Sequence, residues 1–442
     1  MTDAQPKKMN LLMASLLVLV NMVGTGIFLL PVSMASIGSI SIWGWLMATV
    51  GAGAIGLMFA LLGSIQPVAG GPYGYARDSL GDYSGFQTNY VYWTANVVGN
   101  IAIATTVTGY FTEFIPALKS MQLDLYFTTG LVWLAVIINL GGPRWVGLFT
   151  SSGTLLALVP ILLLLIFGWI WFDPSLFSAN WNPHQLSFTH ALTKSGTFAL
   201  WAFMGIESAS VASDVIDNPK RNIPLATLIG FCMSAVLYIG TSSLLMGLMT
   251  AEDLSNSSAP FSDAAFKMIG PAGAMIMAVC AIFKAFSSLV GWTLIVNQSA
   301  YAASKDGLFL KIYSKKDGRG IPVWNFVLSG ILMTLIVLGI HSSSLTREFD
   351  KIINIAVILT VLPYLYSGVA FLSYTWNVDS TRWQRVGLSI TLAIASLYCL
   401  SVVAGSDAAL VRTAMIILFV SIPLYPLFSL GRKRGAKPVM RR

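Results

Sequence analysis

The residues best suited to do chemistry in this chain lie where its first apolar run, Leu11 to Leu30, is interrupted by Asn21 and by Gly24-Thr25-Gly26. A helix in lipid must satisfy its own backbone groups, so an unwound stretch survives only where the freed groups line a cavity or bind something. Two glycines around one hydroxyl let the backbone open and present N–H donors to a small ligand. The following segment, 27–36, restarts as a half-helix whose positive end faces the gap, and a carboxylate suits that end. The sixth apolar run repeats the anomaly. Trp201-Ala-Phe-Met-Gly205-Ile-Glu207-Ser208 sets a glycine, a carboxylate and a hydroxyl among apolar residues. A carboxyl at such depth is costly to ionise without a partner, so Glu207 is expected to exchange a proton as the site fills and empties. One glycine would be read as a packing residue. Two breaks five spans apart instead imply a site at the membrane midplane, built where inverted repeats meet.

The rest of the chain supplies the elements that must hold these breaks. Of 442 residues, 56% are hydrophobic and only 10% charged, with mean hydropathy +0.75. A soluble domain would carry about 25% charged residues. Runs of roughly 20 apolar residues, each able to cross a bilayer, recur along the chain. Hydropathy predicts twelve of them, near 10–37 (broken), 41–65, 84–114, 123–141, 146–172, 193–213 (broken), 224–250, 271–303, 323–341, 352–375, 384–404 and 408–430. The fold class is therefore an all-α polytopic membrane protein with a five-plus-five inverted repeat. Residues 1–375 form a ten-helix core, and 376–442 add two helices and a basic tail. An odd number of spans per repeat inverts the second copy.

Most of the 26 lysines and arginines, from Lys7 and Lys8 through Arg77, Lys220, Lys311 and Arg385 to the tail, fall on one side of this arrangement. That bias places both termini in the cytoplasm. The net charge of +8 thus reflects topology. Arg432-Lys433-Arg434 reads as an anchor to the lipid surface, and nucleic-acid binding is not expected. The first run lacks a small-residue cleavage site and reads as a retained helix. Cys232, Cys280 and Cys399 fall inside apolar runs at unrelated spacings, as buried thiols with no disulfide or metal site. No cofactor is implied, and Gly70-Gly71 lacks the lysine and strand context of a phosphate loop.

At this point whole motifs become comparable. Asn21-Met-Val-Gly-Thr-Gly-Ile-Phe-Leu-Leu-Pro31, Gly70-Gly-Pro-Tyr-Gly-Tyr75-Ala-Arg77, Trp201 to Ser208, Asn218-Pro-Lys-Arg-Asn-Ile-Pro224 and Asp306-Gly-Leu-Phe309 occur in this order. The chain resembles the basic amino acid/polyamine antiporters of the amino acid–polyamine–organocation (APC) superfamily, whose arginine/agmatine, lysine/cadaverine and ornithine/putrescine exchangers occupy bacterial inner membranes. The resemblance covers nearly the whole chain. It implies exchange of an external basic amino acid for its internal decarboxylation product, a multi-pass inner-membrane location and a homodimer.

Carried over residue by residue, the resemblance implies that Gly24, Thr25 and Gly26 hold a substrate carboxylate through backbone amides. Carbonyls freed near Trp201 and Gly205, with Asn21, would receive the α-ammonium. Trp292 resembles the aromatic wall under the distal cation, worth about 0.5–2 kcal/mol, and Trp201 the outward lid. Tyr92, Asn96, Asn100 and Met204 would shape the far end of the pocket, while Tyr73 and Tyr364 resemble inner-gate aromatics. Three departures bear on the cargo. Phe86 replaces an inner-gate tyrosine of the arginine exchanger, Ala356 replaces a serine near the guanidinium end, and Asn96 matches the lysine exchanger. Together they favour lysine or ornithine over arginine.

Lys284 is the residue that the resemblance does not cover, since these antiporters carry a small residue there. A buried ammonium costs about 2.5–3.5 kcal/mol on insertion scales, so it should face the bundle interior. Ser288 lies one turn on and Trp292 two. The eighth span of this fold faces the first near where sodium-driven relatives hold a cation. Lys284 then reads as a built-in positive charge in place of bound Na⁺, titrating against Glu207; the competing reading is a lysine snorkelling to an interface.

Other residues have plainer readings. Trp43, Trp45, Trp171 and Trp181 suit interfacial belts, Asn139 helix packing and Pro160 a kink. His184, His190 and His341 read as solvated loop residues. Asp214 and Asp217 beside Lys220 and Arg221 read as a charge cluster at a helix end. Two other functions share these features: a proton-coupled importer of neutral amino acids on the same fold, and a substrate sensor without flux. No His/Glu/Asp or Ser/His constellation at catalytic spacing points to an enzyme.

Overall fold

The computed structural model describes residues 9–65, 71–211, 216–340, 345–376 and 381–429. Lys7, Lys8, Gly70, Asp214, His341 and the basic tail therefore lie outside the described residues. Everything described is helix and connecting turn, apart from one isolated bridge between Met9 and Ile216.

Helices occur at all twelve hydropathy runs. The first run is α1 (Leu11–Met22) and α2 (Gly26–Ala35), followed by α3 (Ile42–Ile65), α4 (Pro72–Leu80), α5 (Asp82–Phe111), α6 (Met121–Leu140), α7 (Pro143–Phe167) and α8 (Pro174–Ala179). The sixth run is α9 (Phe188–Phe203) and α10 (Ser208–Val211). Then come α11 (Pro219–Leu248), α12 (Ala251–Asn256), α13 (Pro260–Ile269), α14 (Pro271–Lys305), α15 (Val323–Ile340), α16 (Leu345–Trp376), α17 (Arg382–Gly405) and α18 (Ala408–Ser429). Proline marks many starts, at Pro72, Pro143, Pro174, Pro219, Pro260 and Pro271. Its missing N–H costs nothing in a first helical turn. A capping box between Thr381 and Gln384 starts α17.

Both expected breaks are present. At the first, α1 and α2 meet at 46°, and the Gly24 N–H turns back onto the Met22 carbonyl at 2.7 Å. At the second, Met204 is extended and Gly205 adopts φ +98°. A Cβ on Gly205 would stand 3.2 Å from the Asn21 carbonyl oxygen. The Asn21 amide also donates to Ser208 Oγ at 2.9 Å. The two breaks thus touch at the centre of the bundle.

Around them α1 packs on α11, and α5 packs on α14 and α16. The last two helices are peripheral: only 22% of the α17 window and 11% of the α18 window is buried. Asn139 donates across α6 and α14 to the Val290 carbonyl at 3.1 Å, which is the packing bond expected of it. Two readings need correction. Trp45 is buried, stacked on Tyr238 at 5.4 Å, so it is core and not belt; Trp43, Trp171 and Trp181 are exposed. Cys280 and Cys399 are buried, whereas Cys232 is exposed on an outer stripe of α11 with Leu228, Ile229 and Met233. Lipid accepts a thiol as readily as a core does, so hydropathy could not place it.

Gly205→Ala combines a positive φ with a crowded carbonyl. It should destabilise the fold by about 1–3 kcal/mol, seen as a lower midpoint of thermal unfolding in detergent relative to wild type.

Candidate functional site

The breaks line a narrow cavity at the centre of the bundle. Its wall brings together Asn21, Gly24, Thr25 and Gly26 from the first break, Trp201 and Met204 from the second, Asn96 and Asn100 from α5, and Trp292 from α14. These residues are up to 271 positions apart in sequence, yet they surround one volume. α2 begins at Gly26, which lines the cavity, so the positive end of the α2 dipole lies at its wall. Asn96, Asn100 and Trp292 add two amides and an indole to the same wall. Asn100 donates to Thr293 Oγ1 at 3.4 Å, while its Oδ1 is buried without a hydrogen-bond partner among the described residues. That oxygen is an acceptor waiting for a donor.

Two expected members lie elsewhere. Tyr92 points below the cavity, donating to Glu207 Oε1 at 3.2 Å. Gly205 sits behind the wall against the Asn21 carbonyl. Conversely, Tyr238 lines the cavity although its sequence context did not single it out. Its hydroxyl donates to the Met22 carbonyl at 3.0 Å and so satisfies a group freed by the first break. A phenol in the middle of the apolar α11 was the available signal. Gly99 is also informative: a Cβ there would come within 2.8 Å of the Trp201 ring. Glycine leaves the indole its seat.

Hydrogen bonds bracket the cavity. One turn beyond Met204, the buried Glu207 carboxyl accepts from Tyr92 and, at Oε2, from Tyr364 at 3.2 Å. Phe59 packs edge-on against Tyr364 at 5.5 Å. Further toward the same end, Tyr73 donates to Asp306 Oδ2 at 2.8 Å, and Arg77 pairs with that same oxygen. Burial, then the Asp306 carboxylate, push the Tyr73 hydroxyl above the ordinary phenol range, so it remains a donor. This joins α4 to the end of α14. On the opposite side of the cavity Ser33, in α2, donates to Asp350 of α16.

Lys284 lines a separate, very narrow cavity with Leu19, Val20, Val23, Ala157, Leu158 and Ile161. It is 4% exposed, and its Nζ lies 3.5 Å from the Val20 carbonyl beside the first break. It therefore faces the interior and does not snorkel. Phe86 and Ala356, two of the departures tied to cargo, are not in the cavity wall. Phe86 packs on Tyr425 and Phe428 of α18, and Ala356 is buried with its carbonyl accepting from Thr360. Among the described residues no cluster of three or more His, Cys, Asp or Glu could hold a metal.

The family model for amino acid permeases matches residues 9–424. The chain belongs to the amino acid permease family. It is thus a multi-pass membrane transport protein, and no enzyme. It is 33% identical over 429 residues to the cadaverine/lysine antiporter of Escherichia coli (strain K12), covering 95% of this chain and 94% of that protein. It is 33% identical over 441 residues to the putrescine transporter PotE of the same strain, covering 98% of this chain and 100% of the other. PotE of Haemophilus influenzae (strain ATCC 51907 / DSM 11121 / KW20 / Rd) is 32% identical over 424 residues, 96% of this permease and 97% of its own length.

If Gly99 seats the Trp201 ring, Gly99→Val should cost about 1–3 kcal/mol through overpacking. Solute uptake by proteoliposomes should fall accordingly, and adding Trp201→Phe should restore part of it.

Proposed function

We propose that this permease exchanges an external basic amino acid, lysine or ornithine before arginine, for the corresponding internal decarboxylation product, cadaverine or putrescine before agmatine. The observation that carries the reading is the mixed lining of the cavity, with a helix start, two amides and an indole in one wall. Backbone donors at the start of α2 suit a carboxylate. The Trp292 face with Asn96 and the open Asn100 oxygen suits an ammonium. A diamine forgoes the first contact and keeps the second. The named activities of the similar antiporter and transporters support the same solute class. Of the three departures, only Asn96 lines the cavity, so the preference for lysine or ornithine rests on that amide.

In this reading residues 1–375 are the transport core, and 376–442 are accessory. The basic end of the bundle faces the cytoplasm of a bacterial cell, where Arg77–Asp306 and Tyr92–Glu207–Tyr364 close the inward path. Glu207 links a proton to the cycle because its carboxyl accepts from both gate tyrosines. Lys284 supplies a fixed cation at the carbonyls of the first break, in place of a bound metal cation. The protein works as a homodimer.

Proteoliposomes loaded with cadaverine, putrescine or agmatine and offered labelled lysine, ornithine or arginine test the exchange. Lysine or ornithine should enter only against a diamine. Uptake of neutral amino acids into empty vesicles would replace this reading with a proton-coupled importer. Trp292→Leu should weaken amino acid and diamine alike by about 0.5–2 kcal/mol, by calorimetry, with Trp292→Tyr retaining part.

Coupling is separable from binding. Glu207→Gln should bind substrate but lose much of the pH dependence of exchange, and Lys284→Ala should abolish exchange or move its pH optimum. Wild-type pH–rate profiles in both variants would remove these residues from coupling.

A further inference from the structure

Tyr238 of α11 lines the cavity together with Met22, Gly26 and Trp201. Its ring is clamped by two aromatic residues. Trp45 of α3 stacks on it at 5.4 Å, and Phe203, the last residue of α9, meets it edge-on at 6.2 Å. With the ring held, the hydroxyl is aimed at the first break. It donates to the Met22 carbonyl at 3.0 Å, and a Cβ on Gly26 would stand 3.0 Å from the same oxygen. One atom of α11 thus bonds to the last residue of α1 and lies against the first residue of α2.

A carbonyl oxygen offers two lone pairs. At Met22 both are taken, one by the Gly24 N–H at 2.7 Å and one by Tyr238. An uncapped carbonyl in this wall would be an acceptor for an ammonium, whereas the capped one is not. The start of α2 beside it favours negative charge. The hydroxyl therefore removes a competing cation subsite from the end that suits a carboxylate. It also fixes the spacing of the two half-helices, and so the aim of the backbone amides between them.

We propose that Tyr238 is the positioning residue that makes this end of the cavity select a carboxylate over an ammonium, and so ranks amino acid against diamine. The inference rests on the proposed exchange of those two solutes. Tyr238 acts through the backbone of the first break and needs no contact with the cargo. An amino acid uses the ordered amides. A diamine brings an ammonium to the same end, gains nothing from that order and meets a carbonyl already occupied.

Calorimetry on the purified full-length protein in detergent tests this, with lysine against cadaverine and ornithine against putrescine. Tyr238→Phe removes one hydroxyl and keeps the ring. The amino acid should bind about threefold to tenfold more weakly, as for the loss of one hydrogen bond, while the diamine binds as tightly as to wild type or more so. Trp45→Leu keeps the hydroxyl and loosens the clamp. It should move the ratio of the two affinities in the same direction by less, and it carries the test if Tyr238→Phe does not fold. An equal loss for both solutes would make Tyr238 a packing residue and overturn the proposal, as would an unchanged ratio with unchanged affinities. Those outcomes leave the exchange itself standing. A wild type that binds neither pair would instead overturn the exchange, and this role with it.

Discussion

The molecule depends on one constraint: backbone groups opened in the middle of a bilayer must find partners inside the protein. Two helices are opened at the same depth, and each supplies part of what the other lacks. The Asn21 side chain crosses to Ser208, the Gly205 backbone closes on the Asn21 carbonyl, and Tyr238 reaches from α11 to the Met22 carbonyl. The two hydrogen bonds form where water is scarce, so leaving either unmade would cost the desolvation of a polar group. Gly26, at the start of α2, and Asn100, whose Oδ1 is buried without a hydrogen-bond partner among the described residues, both line the cavity. The site is the residue of this accounting. Its position follows from which groups the fold can satisfy and which it leaves to a ligand.

The same tie joins the site to its gates. Met204 lines the cavity and Glu207 holds two tyrosines, yet only a short turn around Gly205 separates them. A shift of that turn moves cavity wall and gate together. The bond from Asn21 to Ser208 carries the shift to α1, beside Val20 and Lys284. At the opposite end α2 carries Ser33 to Asp350. Hydrogen bonds on both sides of the cavity therefore attach to the two half-helices whose ends form it. This is the arrangement expected of alternating access around a central site.

Much of this was legible in the sequence because breaks in apolar runs are local events. Gly24-Thr25-Gly26 and Gly205 announced where the helices open, prolines at first turns announced where others begin, and Asn139 announced a packing bond. The direction in which side chains face was not legible. A soluble helix betrays its buried face by polarity, but a spanning helix is apolar all round and offers no such phase. Hence Trp45 read as belt although it stacks on Tyr238, and Cys232 read as core although it faces outward. Tyr92, expected at the pocket, turns its hydroxyl to Glu207. Each error is a rotation about a helix axis. Arg77 and Asp306 were quoted within separate motifs, and only the folded chain joins them.

The placement of charge bears on how an exchanger releases what it binds. No carboxylate or ammonium of the described residues lines the cavity. Glu207 lies one turn below it, and Lys284 lies in its own cavity behind the first break. A carboxylate in the wall would hold a diamine through a desolvated ion pair, and such pairs are strong when formed and costly to break. Amide oxygens and an indole face bind a cation with a few weak contacts that water can replace. A carrier that must take up one cation and discharge another gains from that weakness, for the same reason that a conducting pore needs sites that are easily left. Keeping Lys284 away from the cavity has the complementary effect. Its charge can compensate the carbonyls opened at Val20 without repelling a cationic solute at close range. Under the proposed exchange, the neutral wall and the two displaced charges are thus parts of one arrangement, in which recognition stays shallow and the ionisable groups stand off the cavity wall.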